Sequence, residues 1–182
     1  MTLIICPGIH NSHLTQEFLE GLQWKRANCL VFPAEEYPAY SAVHVSDFLR
    51  SHLPLQSSIS LISFSAGVVG AISAAWTWQL WGGQVKAFFA LDGWGVPLAG
   101  NFPIYRLSHD YFTHWSSALL GTGEDSFYAD PPVDHLDLWR SPHTVPGWRV
   151  HSDSSRTVQP RSPTTAANFL QQVLASHEYL GN

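Results

Sequence analysis

The chemistry of this chain centres on Ser65, which ends the string Ile59-Ser60-Leu61-Ile62-Ser63-Phe64-Ser65 and is followed at once by Ala66-Gly67 and a run of small residues. An apolar strand, a tight turn and a helix in that order lift a serine hydroxyl out of a sheet. Such a corner needs small residues two before and two after the serine, here Ser63 and Gly67, with Ser63 standing where glycine is usual. A serine hydroxyl becomes a nucleophile only beside a base that is itself held by an acid. His135 is the candidate base, because it closes Asp130-Pro131-Pro132-Val133-Asp134-His135 after the last strand and precedes the helix-like Leu136-Asp137-Leu138-Trp139-Arg140. Two acids follow earlier strands. Asp110 ends Ile104-Tyr105-Arg106-Leu107-Ser108-His109-Asp110, and Asp92 ends Phe88-Phe89-Ala90-Leu91-Asp92. Asp110 is the expected acid, since the order Ser, Asp, His then places the acid one strand ahead of the histidine. Asp92 stays as the alternative; Asp92-Gly93 also reads as a turn dipeptide.

Acyl transfer further requires hydrogen-bond donors aimed at a developing oxyanion. One is the backbone N–H of Ala66, just after the nucleophile. The other is expected from Pro7-Gly8-Ile9-His10-Asn11, where Gly8 permits a close turn and the N–H of Ile9 or His10 can point inward. That loop lacks the glycine spacing and the lysine of a phosphate-binding loop, so no nucleotide cofactor is expected. No metal is expected either. Among ten histidines, His10 and His13 lie three apart and His109 and His114 five apart, in segments that read as loops, and no pair has the spacing of ligands on one helical face.

These residues must be positioned by a scaffold, and the chain alternates short apolar runs with helical stretches throughout. Strands are expected at Thr2-Cys6, Asn28-Phe32, Ile59-Phe64, Val85-Leu91, Pro103-Ser108 and Ser126-Ala129, and helices at Ser12-Gln23, Ser41-Leu53, Ala66-Trp81 and from Thr164 to about His177. Ser12 and Ser41 read as helix caps. The pattern predicts an α/β protein: a three-layer sandwich with a mostly parallel sheet of about six strands and helices on both faces. Gly93 to Asn101 and Phe112 to Asp125 lack a clear period. As loops beyond strand ends they are expected to rim the site, with His10, Trp94 and Trp115 lining an open cleft.

The 182 residues fit a single domain, 1–182, with a core that needs neither metal nor disulfide. Cys6 and Cys29 lie in apolar runs and read as small buried hydrophobes, which points to a reduced, cytoplasmic setting; Met1 is followed by strand residues with no signal-peptide pattern. No run is long enough to span a membrane. A net charge of −5 with nine Lys and Arg leaves no basic surface for nucleic acid, so a small-molecule substrate is the expected partner, and the sequence sets no oligomeric state. Most of the eight tryptophans are expected in the core.

With the Pro7-Gly8 loop, the Ser65 corner, Asp110 in His109-Asp110-Tyr111-Phe112 and His135 in the last loop, nearly the whole chain resembles the small, capless members of the α/β-hydrolase family. The resemblance implies Ser65 as nucleophile, His135 as base and then acid, Asp110 as its orienter, and the N–H groups of Ile9 and Ala66 as oxyanion donors. It also implies a first strand lying between the second and third, and hydrolysis of a carboxylic ester or thioester through an acyl-enzyme. The chain departs from the family in starting at what is usually the third strand, in Ser63, and in having no insertion long enough for a lid. A lyase using the same triad and a non-catalytic binding protein on the same scaffold are the alternatives.

Overall fold

The architecture of the protein is taken from a computed structural model, which describes residues 1–24, 28–121, 123–152 and 159–179. In chain order these form β1 (Thr2–Cys6), α1 (Ser12–Leu22), β2 (Asn28–Val31), α2 (Ala42–His52), β3 (Ser58–Phe64), α3 (Ala66–Leu80), β4 (Gln84–Leu91), β5 (Ile104–Ser108), α4 (Tyr111–Ala118), β6 (Ser126–Ala129), α5 (His135–Arg140), β7 (Pro146–Val150), β8 (Arg161–Thr165) and α6 (Ala166–Tyr179). All eight strands make one sheet in the order β2-β1-β3-β4-β5-β6-β7-β8. The pairings from β2 through β6 are parallel, and β7 and β8 are added antiparallel. The α/β class and the largely parallel sheet are as expected, but the sheet has eight strands where about six were expected.

The two extra strands explain themselves physically. β7 reads Pro-Gly-Trp-Arg-Val and β8 Arg-Ser-Pro-Thr-Thr, without an apolar run, because they lie at the sheet's end and are largely half-exposed. Pro163 is tolerated because β8 is an edge strand that need not donate on both sides. What reads as the start of the last helix, Thr164 and Thr165, is the end of β8.

Alternation along each strand sorts apolar side chains onto two faces. Leu3, Ile5, Ile62, Phe64 and Phe89 meet α1, α5 and α6 through Phe18, Trp139 and Phe169. Ile4, Cys6, Leu61, Phe88 and Ala90 meet α2 and α3 through Leu49, Val68 and Trp78. The central strand β3 is buried from Ile59 to Phe64 on both faces, which is why its apolar residues do not alternate with exposed polar ones and its serines, Ser60 and Ser63, are small and buried.

Helix starts follow their caps. Ser41 caps α2 as expected, whereas α1 is capped by Asn11, whose Oδ1 accepts from the His13 N–H, and Ser12 is the first helical residue. The segment around Phe112 is not a loop. It is α4, capped by Asp110, and its period was hidden because its buried positions are the polar Thr113 and Ser117 while Tyr111, Phe112 and Trp115 face solvent.

Two compositional expectations are corrected. Only Trp78 and Trp139 are fully buried, and Trp76, Trp81, Trp94 and Trp115 are exposed. Cys6 is buried, with its thiol pushed up to about 12 by desolvation, but Cys29 lies exposed on the edge strand β2. Both thiols are free. Among the described residues no helix is long and apolar enough to cross a membrane.

Candidate functional site

Ser65 joins β3 to α3 with φ 52° and ψ −122°, a left-handed backbone that a residue with a Cβ adopts only under constraint. The constraint is visible on both sides. The Ser65 N–H donates to the Leu91 carbonyl of β4 at 2.9 Å, and the Ser65 carbonyl accepts from the Val68 N–H at 3.1 Å. Gly67 lies so close to β1 that a methyl group there would collide with the carbonyl oxygens of Cys6 and Pro7. Ser63 is accommodated in place of glycine because its hydroxyl is buried and donates to the Phe89 carbonyl at 2.8 Å.

Because β1 lies between β2 and β3, the loop after β1 falls beside Ser65. A Cβ on Gly8 would sit 3.1 Å from the Ser65 Cβ. Ile9 follows, exposed, and Ala66 opens α3, where first-turn N–H groups have no acceptor within the helix. His10 packs over Phe64 at 5.7 Å and Trp139 at 6.0 Å between centroids, and together with Pro7 it lines a cavity of about 350 Å³ between α1 and the segment after β2. Leu19, Val31 and Phe32 give it an apolar wall, and Thr15, Gln16 and Glu35 add polar groups to the lining. Glu35 accepts from the Ser12 N–H at 2.8 Å, which holds its carboxyl below the usual value.

His135 begins α5, and its ring stacks on Phe64, the neighbour of Ser65, at 4.6 Å and 25°. Its Nδ1 lies 2.8 Å from Oδ2 of Asp92. This corrects the sequence expectation for the acid: the carboxylate on His135 belongs to Asp92, after β4, and not to Asp110, after β5. The Oδ1 of Asp110 instead accepts from the Thr113 N–H at 2.6 Å and caps α4. Asp92 is a turn residue with φ 48°, and its carboxylate is buried.

A residue the sequence reading had not singled out for this site completes it. His109 donates its backbone N–H to Asp92 Oδ1 at 2.9 Å, and its Nδ1 lies 2.9 Å from Asp92 Oδ2. Burial raises the Asp92 pKa, and the hydrogen bonds from His109 and His135 outweigh that effect and hold it below the usual value. The hydrogen bond to Asp92 raises the His109 pKa, against a smaller lowering by burial. His114, paired with His109 by spacing alone, sits elsewhere on α4, where desolvation and the nearby Arg106 charge push it down to about 4. The signal for Asp110 was present in the sequence: an Asp three residues before Thr113 at the start of a helix is a cap pattern.

Asp92, His109 and His135 place one potential ligand atom each within 4.8 Å of one another. Both imidazole Nδ1 atoms lie within hydrogen-bond distance, 2.8–2.9 Å, of the one carboxylate oxygen Oδ2.

On the far rim, the Trp94 Nε1–H donates to Ser116 Oγ at 3.0 Å and ties the loop after β4 to α4. Trp94, Phe112 and Trp115 are all more than half exposed there. No family model matches the chain, and no curated protein matches it.

Proposed function

We propose that the protein is a serine hydrolase of the small α/β-hydrolase type that cleaves a carboxylic ester or thioester of a small or medium substrate. The observation that carries this reading is the left-handed backbone of Ser65 at the β3–α3 corner, with Asp92, after β4, paired to His135 at the start of α5. Strained non-glycine residues persist where the surrounding structure enforces them, and a serine held this way presents its hydroxyl at the carboxyl edge of the sheet.

In this mechanism the Ser65 hydroxyl attacks the substrate carbonyl carbon while His135 Nε2 takes its proton. Asp92 accepts from His135 Nδ1–H, which fixes the tautomer whose Nε2 is free to act as a base and stabilises the imidazolium as it forms. The carbonyl π electrons move onto oxygen, and the N–H groups of Ala66 and Ile9 bind that oxyanion. As the tetrahedral intermediate collapses, the alkoxide or thiolate leaves with the proton from His135 and the acyl group stays on Ser65. Water, deprotonated by His135, then releases the acid. The cavity beside His10 receives the apolar part of the substrate. The two free thiols support an intracellular, cytoplasmic place of action.

Reaction with a fluorophosphonate probe, followed by mapping of the modified peptide, tests the reading. Label on Ser65, lost in Ser65→Ala, is the expected result. A folded wild-type protein that takes no label, or takes it on another serine, overturns the mechanism and leaves a non-catalytic binding protein as the better account.

A further inference from the structure

Asp92 carries more hydrogen bonds than orienting one histidine requires. Its Oδ1 accepts from the His109 backbone, while its Oδ2 is shared by two imidazoles, His109 at 2.9 Å and His135 at 2.8 Å. We infer that His109 is a second positioning residue of the site, one that anchors the Asp92 carboxylate and competes with His135 for the same oxygen. This rests on the triad reading above.

The geometry gives His109 two separate effects. The first is mechanical. Asp92 sits in a left-handed turn, and its side chain is almost wholly buried, so its orientation depends on the donors that reach it. His109 reaches both oxygens from the end of β5, and the Val133 N–H donates to the His109 carbonyl at 3.0 Å, tying the segment that leads to His135 to the same point. One residue thereby registers the strand ends of β4, β5 and β6 against each other.

The second effect is electrostatic. The His109 and His135 rings lie 5.9 Å apart, edge to face. The charged groups facing His109 are Asp92 from the loop after β4, Asp110 on its own segment with Oδ2 3.6 Å from Nε2, Asp134 ahead of α5, and His135 itself. Three carboxylates favour a protonated His109. When protonated, His109 draws on the Asp92 charge and repels positive charge developing on His135 during attack. Removing the His109 charge while keeping the donor removes that repulsion, which at this separation in a partly solvated site is worth about half to one pH unit on the acid limb of the pH–rate profile.

The substitutions His109→Asn and His109→Leu separate the two effects, because an asparagine amide can stand in for Nδ1–H without carrying charge and leucine supplies neither. For ester hydrolysis, His109→Leu is expected to lower kcat by roughly tenfold to a hundredfold with KM within a few-fold, as expected when an orienting contact is weakened. His109→Asn is expected to restore most of kcat and to move the acid limb of the kcat/KM profile up by about half to one pH unit. A residue that only supports the fold would leave the limb in place and would not be rescued by asparagine, and that outcome overturns the inference. Low-field imidazole N–H resonances provide a readout independent of turnover: the wild type should show two, of which His109→Asn loses one and His135→Gln the other. One resonance in the wild type, unaffected by His109→Asn, overturns the shared-carboxylate geometry even if Ser65 proves to be the nucleophile. Two resonances that respond in this way, in a protein unreactive toward fluorophosphonate, uphold the geometry and reject the hydrolase reading alone.

Discussion

Asp92 Oδ2 lies 2.8 Å from His135 Nδ1, and this contact reaches across the carboxyl ends of β4 and β6, skipping the strand between them. The intervening β5 delivers Asp110 to a different task, capping α4. The two carboxylates therefore divide into one that serves the imidazole and one that serves a helix.

This division predicts opposite phenotypes. Asp92→Asn leaves His135 without its anionic acceptor and favours the wrong tautomer, which in triads of this kind costs ~10⁴-fold in kcat. Asp110→Ala removes a helix cap and costs about 1 kcal/mol of stability, with kcat within a few-fold. Steady-state kinetics with a p-nitrophenyl ester and urea unfolding of both variants check the pair. A large loss of kcat in a folded Asp110→Ala with near-normal turnover in Asp92→Asn would reverse the assignment.

The parts of the fold that were legible in the sequence are those whose burial dictates their composition. β1, β3 and β4 sit inside the sheet, so their buried positions are mostly apolar, as in Leu3-Ile4-Ile5, Leu61-Ile62 and Ala87-Phe88-Phe89-Ala90-Leu91. β7, β8 and α4 were illegible for the complementary reason: the first two are half-exposed and carry prolines, and the third buries threonine and serine while exposing its aromatic rings. Within the site, Ser65 and His135 were marked by local context. The partner of His135 was not, because the choice between Asp92 and Asp110 depends on where two neighbouring strands end relative to a third, and no local pattern encodes that. His109 was hidden for the same reason. Its role comes from reaching back to Asp92, seventeen positions earlier in the chain.

Two glycines near Ser65 should fail in different ways. A methyl group at Gly67 meets backbone oxygens of β1 that cannot move aside, so Gly67→Ala should lower stability by about 2 kcal/mol or more. At Gly8 the added Cβ meets the Phe64 ring, the Phe64 carbonyl oxygen and the Ser65 Cβ at 3.1 Å each, a crowding that a small shift of the loop relieves. In the proposed mechanism that shift moves the Ile9 N–H away from the substrate oxyanion. Gly8→Ala should therefore lower kcat by roughly a hundredfold, the scale of losing one such donor, while changing stability little. Unfolding curves beside kinetics separate the two, and equal stability losses would refute the distinction.

The pairing of Asp92 with His109 also sets a pH window. The Asp92 pKa is lowered by folding, so its contribution is present above the unfolded carboxylate value of about 3.9 and disappears as pH falls through the lower folded value. The His109 pKa is raised, so its contribution is full below about 6.5 and disappears as pH rises through the higher folded value. His114 acts oppositely, because its buried, lowered site makes folding less favourable as pH drops below about 6.5. The His109 effect is therefore isolated by difference: wild type minus His109→Asn should be more stable by about 1 kcal/mol near pH 5.5 and by almost nothing near pH 9. A difference that is constant across this range would show that no proton is taken up at His109 on folding.

In the proposed function, the cavity beside His10 takes the apolar part of the substrate and sets its size. Its volume of about 350 Å³ lies at the small end of ligand sites, and its lining runs from the buried Phe32 and Thr15 to the exposed Val31 and Glu35. Each methylene buried there is worth roughly 0.8 kcal/mol, or about fourfold in kcat/KM, and each one left in water adds nothing. Across esters from acetyl to palmitoyl, efficiency should climb over the first few carbons and then flatten. Val31→Trp, at an exposed position on the cavity wall, should remove the climb while leaving the acetyl ester within about twofold, since a bulky ring takes the volume and not the catalytic groups. The exposed Trp94 and Trp115 on the opposite rim predict a smaller effect, with Trp115→Ala raising KM for aromatic esters by a few-fold. Efficiency that keeps rising to palmitoyl, or a climb unchanged in Val31→Trp, would show that the acyl chain lies somewhere other than this cavity.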